Sequence, residues 1–214
     1  MPSLAPQTTA IFDAVTSLEC IRPYVLVGGT ALSLQLETRL SENLDFMSWR
    51  KSLDEKREVD WPQIQKELSA IGTVENCDIL DIDHVEFIVE GVKVSFYANP
   101  NRSPLKQAIA YRNNLYLADP LSIGAMKMEV MLRRSKFRDY YDIYSLIEAG
   151  VDLKEMIDLA LRYSGHRLKS KNLKAMLTRS DRFILDADFA MLQPQYDISP
   201  DQIEARIKQE LLKN

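Results

Sequence analysis

Residues 24–46 read YVLVGGTALSLQLETRLSENLDF, and the architecture of the chain follows from how this stretch folds. Tyr24–Val27 is a short apolar run directly after Arg22-Pro23, the pattern of a short buried strand. Gly28-Gly29 breaks that strand, and Thr30–Glu37 resumes as a helix with Ala31, Leu32, Leu34 and Leu36 apolar. A second strand is expected at Leu44–Met47. Its period-two alternation sends Leu44 and Phe46 to the core and puts Asn43 and Asp45 together on the other face. The thirteen residues Thr30–Glu42 suffice for a helix and a return loop, so Asp45 can come back beside the glycines.

Two glycines at a strand end let the backbone bend sharply and let a ligand approach without meeting a Cβ. The helix that follows presents unpaired N–H groups and a partial positive end, which suits a phosphate, and Thr30 adds a hydroxyl donor there. A Gly-Gly pair alone is also an ordinary turn. Asn43 and Asp45 are two oxygen-bearing side chains on one face, a pair that can hold a hard cation such as Mg²⁺.

Working outward, Thr8 or Thr9 can cap a first helix carrying Ile11, Phe12, Val15 and Leu18. Arg50–Glu58 reads as a charged loop. Asp60 caps a helix with Pro62 in its first turn, Ile64, Leu68 and Ile71 on its core face, and Gly72 as its stop. Val85, Phe87 and Val89, then Val92, Val94 and Phe96, alternate on either side of Glu90-Gly91, which predicts a hairpin with one buried face. Asn99–Ser103 is a turn-rich break. We place a lobe boundary there, giving a core over 1–100 and a helical lobe over 101–214. Beyond the break the pattern is nearly all helical. Asp119-Pro120 opens a helix to about Arg134, and further helices are expected over Arg138–Ala149, Leu153–Tyr163, Lys169–Arg179 and from Ser199-Pro200 onward.

Composition sets limits. The 214 residues are 46% hydrophobic and 27% charged, enough for one substantial core or two small lobes. No apolar run approaches the roughly 20 residues needed to span a bilayer, and the first residues lack a secretory pattern. Cys20 and Cys77 lie in apolar-patterned segments and read as buried free thiols. Together these features point to a cytoplasmic protein that does not engage membranes. A net charge of −4 argues against coating nucleic acid indiscriminately. Arg133, Arg134, Lys136 and Arg138 nevertheless cluster, and Arg162–Arg182 holds seven Lys/Arg against Asp181. Each cluster reads either as a solvated helix face or as a patch for a phosphate-bearing partner. His84 and His166 stand in no metal-ligand spacing and read as a strand residue and a surface residue.

In the helical half, Lys127 is the only charge between Pro120 and Met128. It reads as a lysine snorkelling from a partly buried face, or as a compact cation for a triphosphate. Phe137, Tyr140, Ile143, Tyr144 and Ile147 form a core stripe. Asp139 and Asp142 lie opposite it, about 60° apart, either solvated or paired with Arg138 or Arg134.

The run GGTALSLQLETRLSENLDF resembles the AbiEii/AbiGii toxin branch of the DNA-polymerase-β-like nucleotidyltransferases, which reads GGTAL, a helix, then Arg-x-Ser-x-Asp-x-Asp-Phe. Lys136-Phe137-Arg138-Asp139-Tyr140-Tyr141-Asp142-Ile143-Tyr144 resembles the family's later Arg-Asp-x-x-Asp-hydrophobic-Tyr block, and the two blocks occur in the family's order. The resemblance implies an α+β fold, a nucleotidyltransferase-like mixed sheet flanked by helices with a helical C-terminal lobe. It implies an NTP bound with Mg²⁺ and a nucleotidyl group passed to an RNA or protein acceptor, in toxin members with a possible cognate antitoxin. On these positions Asp45, Lys127 and Asp139 are the catalytic candidates. Gly28, Gly29, Thr30, Arg39, Ser41 and Arg138 are candidates for the nucleotide, and Asp45 with Asn43 for the metal.

The sequence departs from the family pattern at three places. Asn43 replaces the first acid of the Asp-x-Asp pair, and an amide is a poorer Mg²⁺ ligand than a carboxylate. The strand Val92–Tyr97, where a third acid is expected, offers only Lys93, Ser95 and Tyr97 outward. Thr38 stands where many relatives carry His. Two functions therefore stay open: a nucleotidyltransferase, or a degenerate nucleotide-binding or partner-binding protein on the same fold. The persistence of the second block favours the enzyme.

Overall fold

A computed structural model describes residues 3–50, 52, 58–100, 102–165 and 167–213. Next to the central strand lies β1 (Val25–Val27), the short apolar strand read from the sequence. On one side it pairs antiparallel with β2 (Leu44–Trp49), which pairs parallel with β5 (Val92–Asn99). Beyond β5 come β4 (His84–Val89) and β3 (Val74–Asp81), both antiparallel to their neighbours. On the other side β1 runs parallel to β7 (Leu115–Ala118), which carries β6 (Ala108–Arg112) at the far edge. The result is one seven-stranded mixed sheet of order β3-β4-β5-β2-β1-β7-β6, an α+β architecture with helices on its faces.

The alternation expected in β2 holds. Leu44 and Phe46 are buried and Asp45 turns to the opposite face. Phe46 stacks on Phe96 of β5 at 5.1 Å, with Tyr24 and Phe87 edge-on to the same ring. Each such buried side chain contributes about 1.5–3 kcal/mol, so this face locks the register that brings Asp45 opposite Ser95.

Eight α-helices occupy the described residues: α1 (Pro6–Thr16), α2 (Gly28–Leu36), α3 (Trp61–Ser69), α4 (Pro120–Val130), α5 (Phe137–Glu148), α6 (Leu153–Tyr163), α7 (Ser170–Leu177) and α8 (Pro200–Leu212). Asp60, Asp119 and Ser199 cap α3, α4 and α8 as expected, each accepting a backbone N–H three residues on. Helix α4 packs against α2, α5 and α6, and so delivers Lys127 over the sheet face that carries Asp45.

Several local expectations change. Neither Thr8 nor Thr9 caps α1. The helix starts at Pro6 with Ala5 before it, and the Thr8 hydroxyl donates to the Glu42 carbonyl (2.6 Å), tying α1 to the start of β2. Helix α4 ends at Val130, four residues short of Arg134, and α7 ends at Leu177. Strand β3 and the β6–β7 hairpin were not expected, and the hairpin extends the sheet past the turn at 99–103. Cys20 and Cys77 are free thiols but only half-buried. His166 and most of the expected loop 50–58 lie outside the described residues.

Candidate functional site

The corner from β1 into α2 is built on two glycines with different jobs. Gly28 has φ +69°, a left-handed backbone that side chains rarely adopt, and a Cβ there would lie 3.2 Å from Asp45 Oδ2. Asp45 is thus packed directly against the turn. Its Oδ1 accepts a hydrogen bond of 2.7 Å from Ser95, its partner across the β2–β5 ladder. A Cβ on Gly29 would stand 2.5 Å from Arg39 Nη2, so this glycine makes room for a protein side chain.

Arg39 follows Glu37, which ends α2 with φ 55° and turns the chain back on itself. Its guanidinium is buried and makes a two-point fork with Asp142 of α5, Nε to Oδ1 and Nη2 to Oδ2, both 2.8 Å. Lys127 Nζ also reaches Asp142 (Oδ2, 2.6 Å), and donates to Asp139 Oδ1 at 3.1 Å. Arg134 closes the row on Asp139, Nε to Oδ2 at 2.9 Å and Nη2 to Oδ1 at 3.1 Å. Three cations therefore share two carboxylates, and the charge left over faces Asp45, whose carboxylate also acts on Arg134 beside the glycine turn.

Burial alone would raise the pKa of both aspartates. For Asp142 the attraction of Arg39 and Lys127 outweighs it, and for Asp139 that of Lys127 and Arg134, so both lie below the ordinary carboxylate value. Burial likewise works against the charge on Arg39, and Asp142 overrides it, holding the guanidinium above its usual pKa. Such a network is costly to desolvate and collapses if one partner is removed.

Gly28, Gly29, Asp45, Ser95, Lys127 and Asp139 line one cleft of about 580 Å³ between the sheet and α4. A smaller hollow of about 300 Å³ adjoins it, walled by Gly29, Arg39, Ser41, Asn43, Lys136 and Arg138. Among the catalytic, nucleotide and metal candidates named from the sequence, Thr30 alone lines neither. It is buried, its hydroxyl engaged by Ser41 Oγ (2.7 Å) and the Asn43 carbonyl, so it fixes the path into β2 and leaves no free donor. Asn43 precedes β2 instead of lying on it. Arg138 is held by Asp186 and Asp188 (both 3.0 Å). Asp139 and Asp142, solvated or paired with Arg138 or Arg134 in one sequence reading, are both fully buried, and of those pairings Arg134–Asp139 forms. A separate cavity of about 480 Å³, lined by Tyr24, Trp49 and Ile64, contains none of the site residues.

As a metal donor set this corner is sparse. Among the described residues no three His, Cys, Asp or Glu side chains converge closely enough to hold an ion. Glu86, one strand beyond Ser95, is taken by Lys93 (2.6 Å). Asp45 and Asn43 line the same hollow, so the donors they offer are one carboxylate and one amide. Such a set is suited by its chemistry to a single ion that shares phosphate oxygens and keeps waters, as Mg²⁺ commonly does, and not to a carboxylate-bridged pair.

Sequence reasoning missed Glu129, which is buried and accepts from Arg133 and Arg167 at the rim of the cleft. Its signals were a charge inside the apolar α4 and an arginine four residues on.

Comparison with known proteins identifies the family and the fold. The family model described as "Nucleotidyl transferase AbiEii toxin, Type IV TA system" matches residues 84–209, a span that holds Lys127, Asp139 and Asp142. The glycine corner and Asp45 precede it. An uncharacterized protein of Aquifex aeolicus (strain VF5) is 27% identical over 159 residues, 73% of each chain. Two Helicobacter pylori crystal structures share the fold. One, described as a "putative nucleotidyltransferase", has a TM-score of 0.60 at 18% identity over 98% of this chain and 97% of that one. The other, JHP933, has a TM-score of 0.57 at 19% identity over 99% and 94%.

Proposed function

The chain belongs to the nucleotidyl transferase AbiEii toxin family, and on that premise we propose that its cleft binds an NTP with Mg²⁺ and transfers a nucleotidyl group to an RNA or protein acceptor. The supporting observation is the convergence at one corner of the Gly28-Gly29 turn, Asp45, and the cation row Arg39–Lys127–Arg134. Phosphate is favoured at the start of α2 by its unpaired N–H groups and by the Arg134 guanidinium that the cation row presents to the cleft. Mg²⁺, when bound, supplies charge neutralisation on the phosphates, and Asp45 with Asn43 would hold it.

The remaining roles follow from the pairing. Arg134 is half exposed and faces the cleft, so it meets phosphate directly, while Asp139 orients it. Lys127 adds positive charge at the back of the site. Asp139, held below the ordinary carboxylate range, is a poor proton acceptor near neutral pH, so it acts as a positioning residue. Arg39 and Asp142 brace Lys127, and Ser41 and Arg138 line the adjoining hollow where the triphosphate tail would extend. A cognate antitoxin and a cytoplasmic site of action belong to the same proposal. No helix among the described residues is long and apolar enough to cross a membrane.

A second reading, nucleotide binding without transfer, is favoured by one observation: Asn43 and Ser95 stand where the family pattern expects acids. The test incubates purified protein with Mg²⁺, each labelled NTP and total RNA or cell protein, and follows the label. Label on an acceptor with at least one NTP supports transfer. NTP binding with no label on any acceptor replaces it with the second reading.

A further inference from the structure

Two consecutive arginines leave the end of α4 in different directions. Arg134 turns inward to Asp139, and Arg133 turns to the rim of the same cleft. At the rim Arg133 meets Arg167, which follows α6, and both are held by Glu129. Glu129 Oε1 accepts from Arg133 Nη1 (3.1 Å) and Arg167 Nη2 (3.0 Å), and its Oε2 accepts from Arg133 Nη2 (2.7 Å). Arg167 Nε donates to the Ser164 carbonyl (3.0 Å), which fixes the plane of that guanidinium.

The Glu129 side chain is 6% exposed, whereas those of Arg133 and Arg167 are 59% and 55% exposed. A buried carboxylate thus holds two guanidiniums side by side, against their mutual repulsion, with their outer N–H groups toward solvent. For stability alone one arginine would neutralise Glu129. The second leaves an excess positive charge, presented on the wall of the cleft that Tyr163 and His84 also line. Paired guanidinium forks with free N–H groups match the oxygens of a phosphate.

We infer that Arg133 and Arg167, clamped by Glu129, form a second phosphate-binding seat at the rim of the cleft, separate from the glycine corner. Its ligand is a phosphate group of either a mononucleotide or a nucleic-acid backbone. The seat does not depend on transfer taking place at the corner. Glu129 is its positioning residue, and the two arginines make the contact.

The test measures equilibrium binding of a single-stranded ten-nucleotide oligomer and, separately, of each NTP without metal, across a salt series. The proteins are wild type, Arg133→Gln/Arg167→Gln, Arg133→Lys/Arg167→Lys, Glu129→Gln, and Arg22→Gln as a remote exposed control. Circular dichroism confirms the fold of each. The double glutamine variant should weaken one ligand by about tenfold or more and flatten its salt dependence by about one phosphate contact or more. The lysine pair should retain part of the affinity, because charge survives and the fork does not. Loss confined to the oligomer identifies the backbone phosphate, and loss confined to an NTP identifies a second nucleotide. If Glu129→Gln fails to fold, the arginine pairs alone decide the matter. Affinities of both ligands matching the Arg22→Gln control would overturn the seat.

Discussion

Arg39 and Asp142, 103 residues apart in sequence, meet in a fully buried two-point ion pair that joins the end of α2 to α5. Lys127 is held against the same aspartate, so the pair sets where the cleft's inner cation stands. Removing the carboxylate strands the buried Arg39 guanidinium and leaves Lys127 with Asp139 alone. Asp142→Ala is expected to lower unfolding stability by about 3–5 kcal/mol, read from urea midpoints. A loss under 1 kcal/mol would mean that the network is solvated.

The same pairs set the acid limit of the fold. Asp139 and Asp142 have pKa values below those of the unfolded chain, so the native state binds fewer protons. Their stabilisation is fully present above the ordinary carboxylate pKa of about 3.9 and is lost as pH falls through the lower native values. Thermal midpoints should therefore hold from pH 7 to about 5 and drop below about pH 4. Asp142→Asn should begin lower and fall less steeply; an identical slope would remove Asp142 from the acid transition.

At the glycine corner, the clash expected from a side chain at position 29 is with Arg39. Gly29→Ala should displace the guanidinium and cost about 1–3 kcal/mol as an overpacked site. Because Gly29→Ala and Arg39→Ala act on one contact, the double variant should lose less than the sum of the singles. Strict additivity in denaturation would contradict this, and nucleotide affinity should follow the same pattern.

Asn43 and Asp45 line the same small hollow. Asn43→Asp adds a carboxylate there and should raise affinity for Mn²⁺ in the presence of NTP by about tenfold, or about 1.4 kcal/mol. Unchanged affinity would show that position 43 faces away from the ion.

The sequence made the heart of the fold legible. The Gly-Gly break, the apolar run before it and the alternation around Asp45 are local signals, and so are the caps at Asp60, Asp119 and Ser199. Strand β3 was hidden because it is an edge strand of mixed composition whose side chains are largely exposed, Ile79 and Leu80 included, with no buried alternation to read. The β6–β7 hairpin turns at Asn113-Asn114, where Asn113 takes φ 48°, a turn signal outweighed by the helical patterning around it. Asp139 and Asp142 stand off the apolar stripe of α5, where the helix pattern alone suggests solvent. Their burial depends on Arg39 and Lys127 arriving from other elements, which no periodicity encodes. Glu129 has one local partner, Arg133 four residues on, and one distant partner, Arg167, and only the second lies beyond the reach of periodicity.

The central claim, that the corner of Gly28 and Asp45 is a nucleotidyl-transfer site, is tested most directly by label transfer from NTP in Mg²⁺ with wild type and Asp45→Asn, each confirmed folded. Asp45→Asn removes the sole carboxylate proposed for the ion, and with several kcal/mol of charge stabilisation at stake the rate should fall by orders of magnitude. Equal and clearly positive transfer from both proteins would contradict the claim and place the chemistry elsewhere in the molecule.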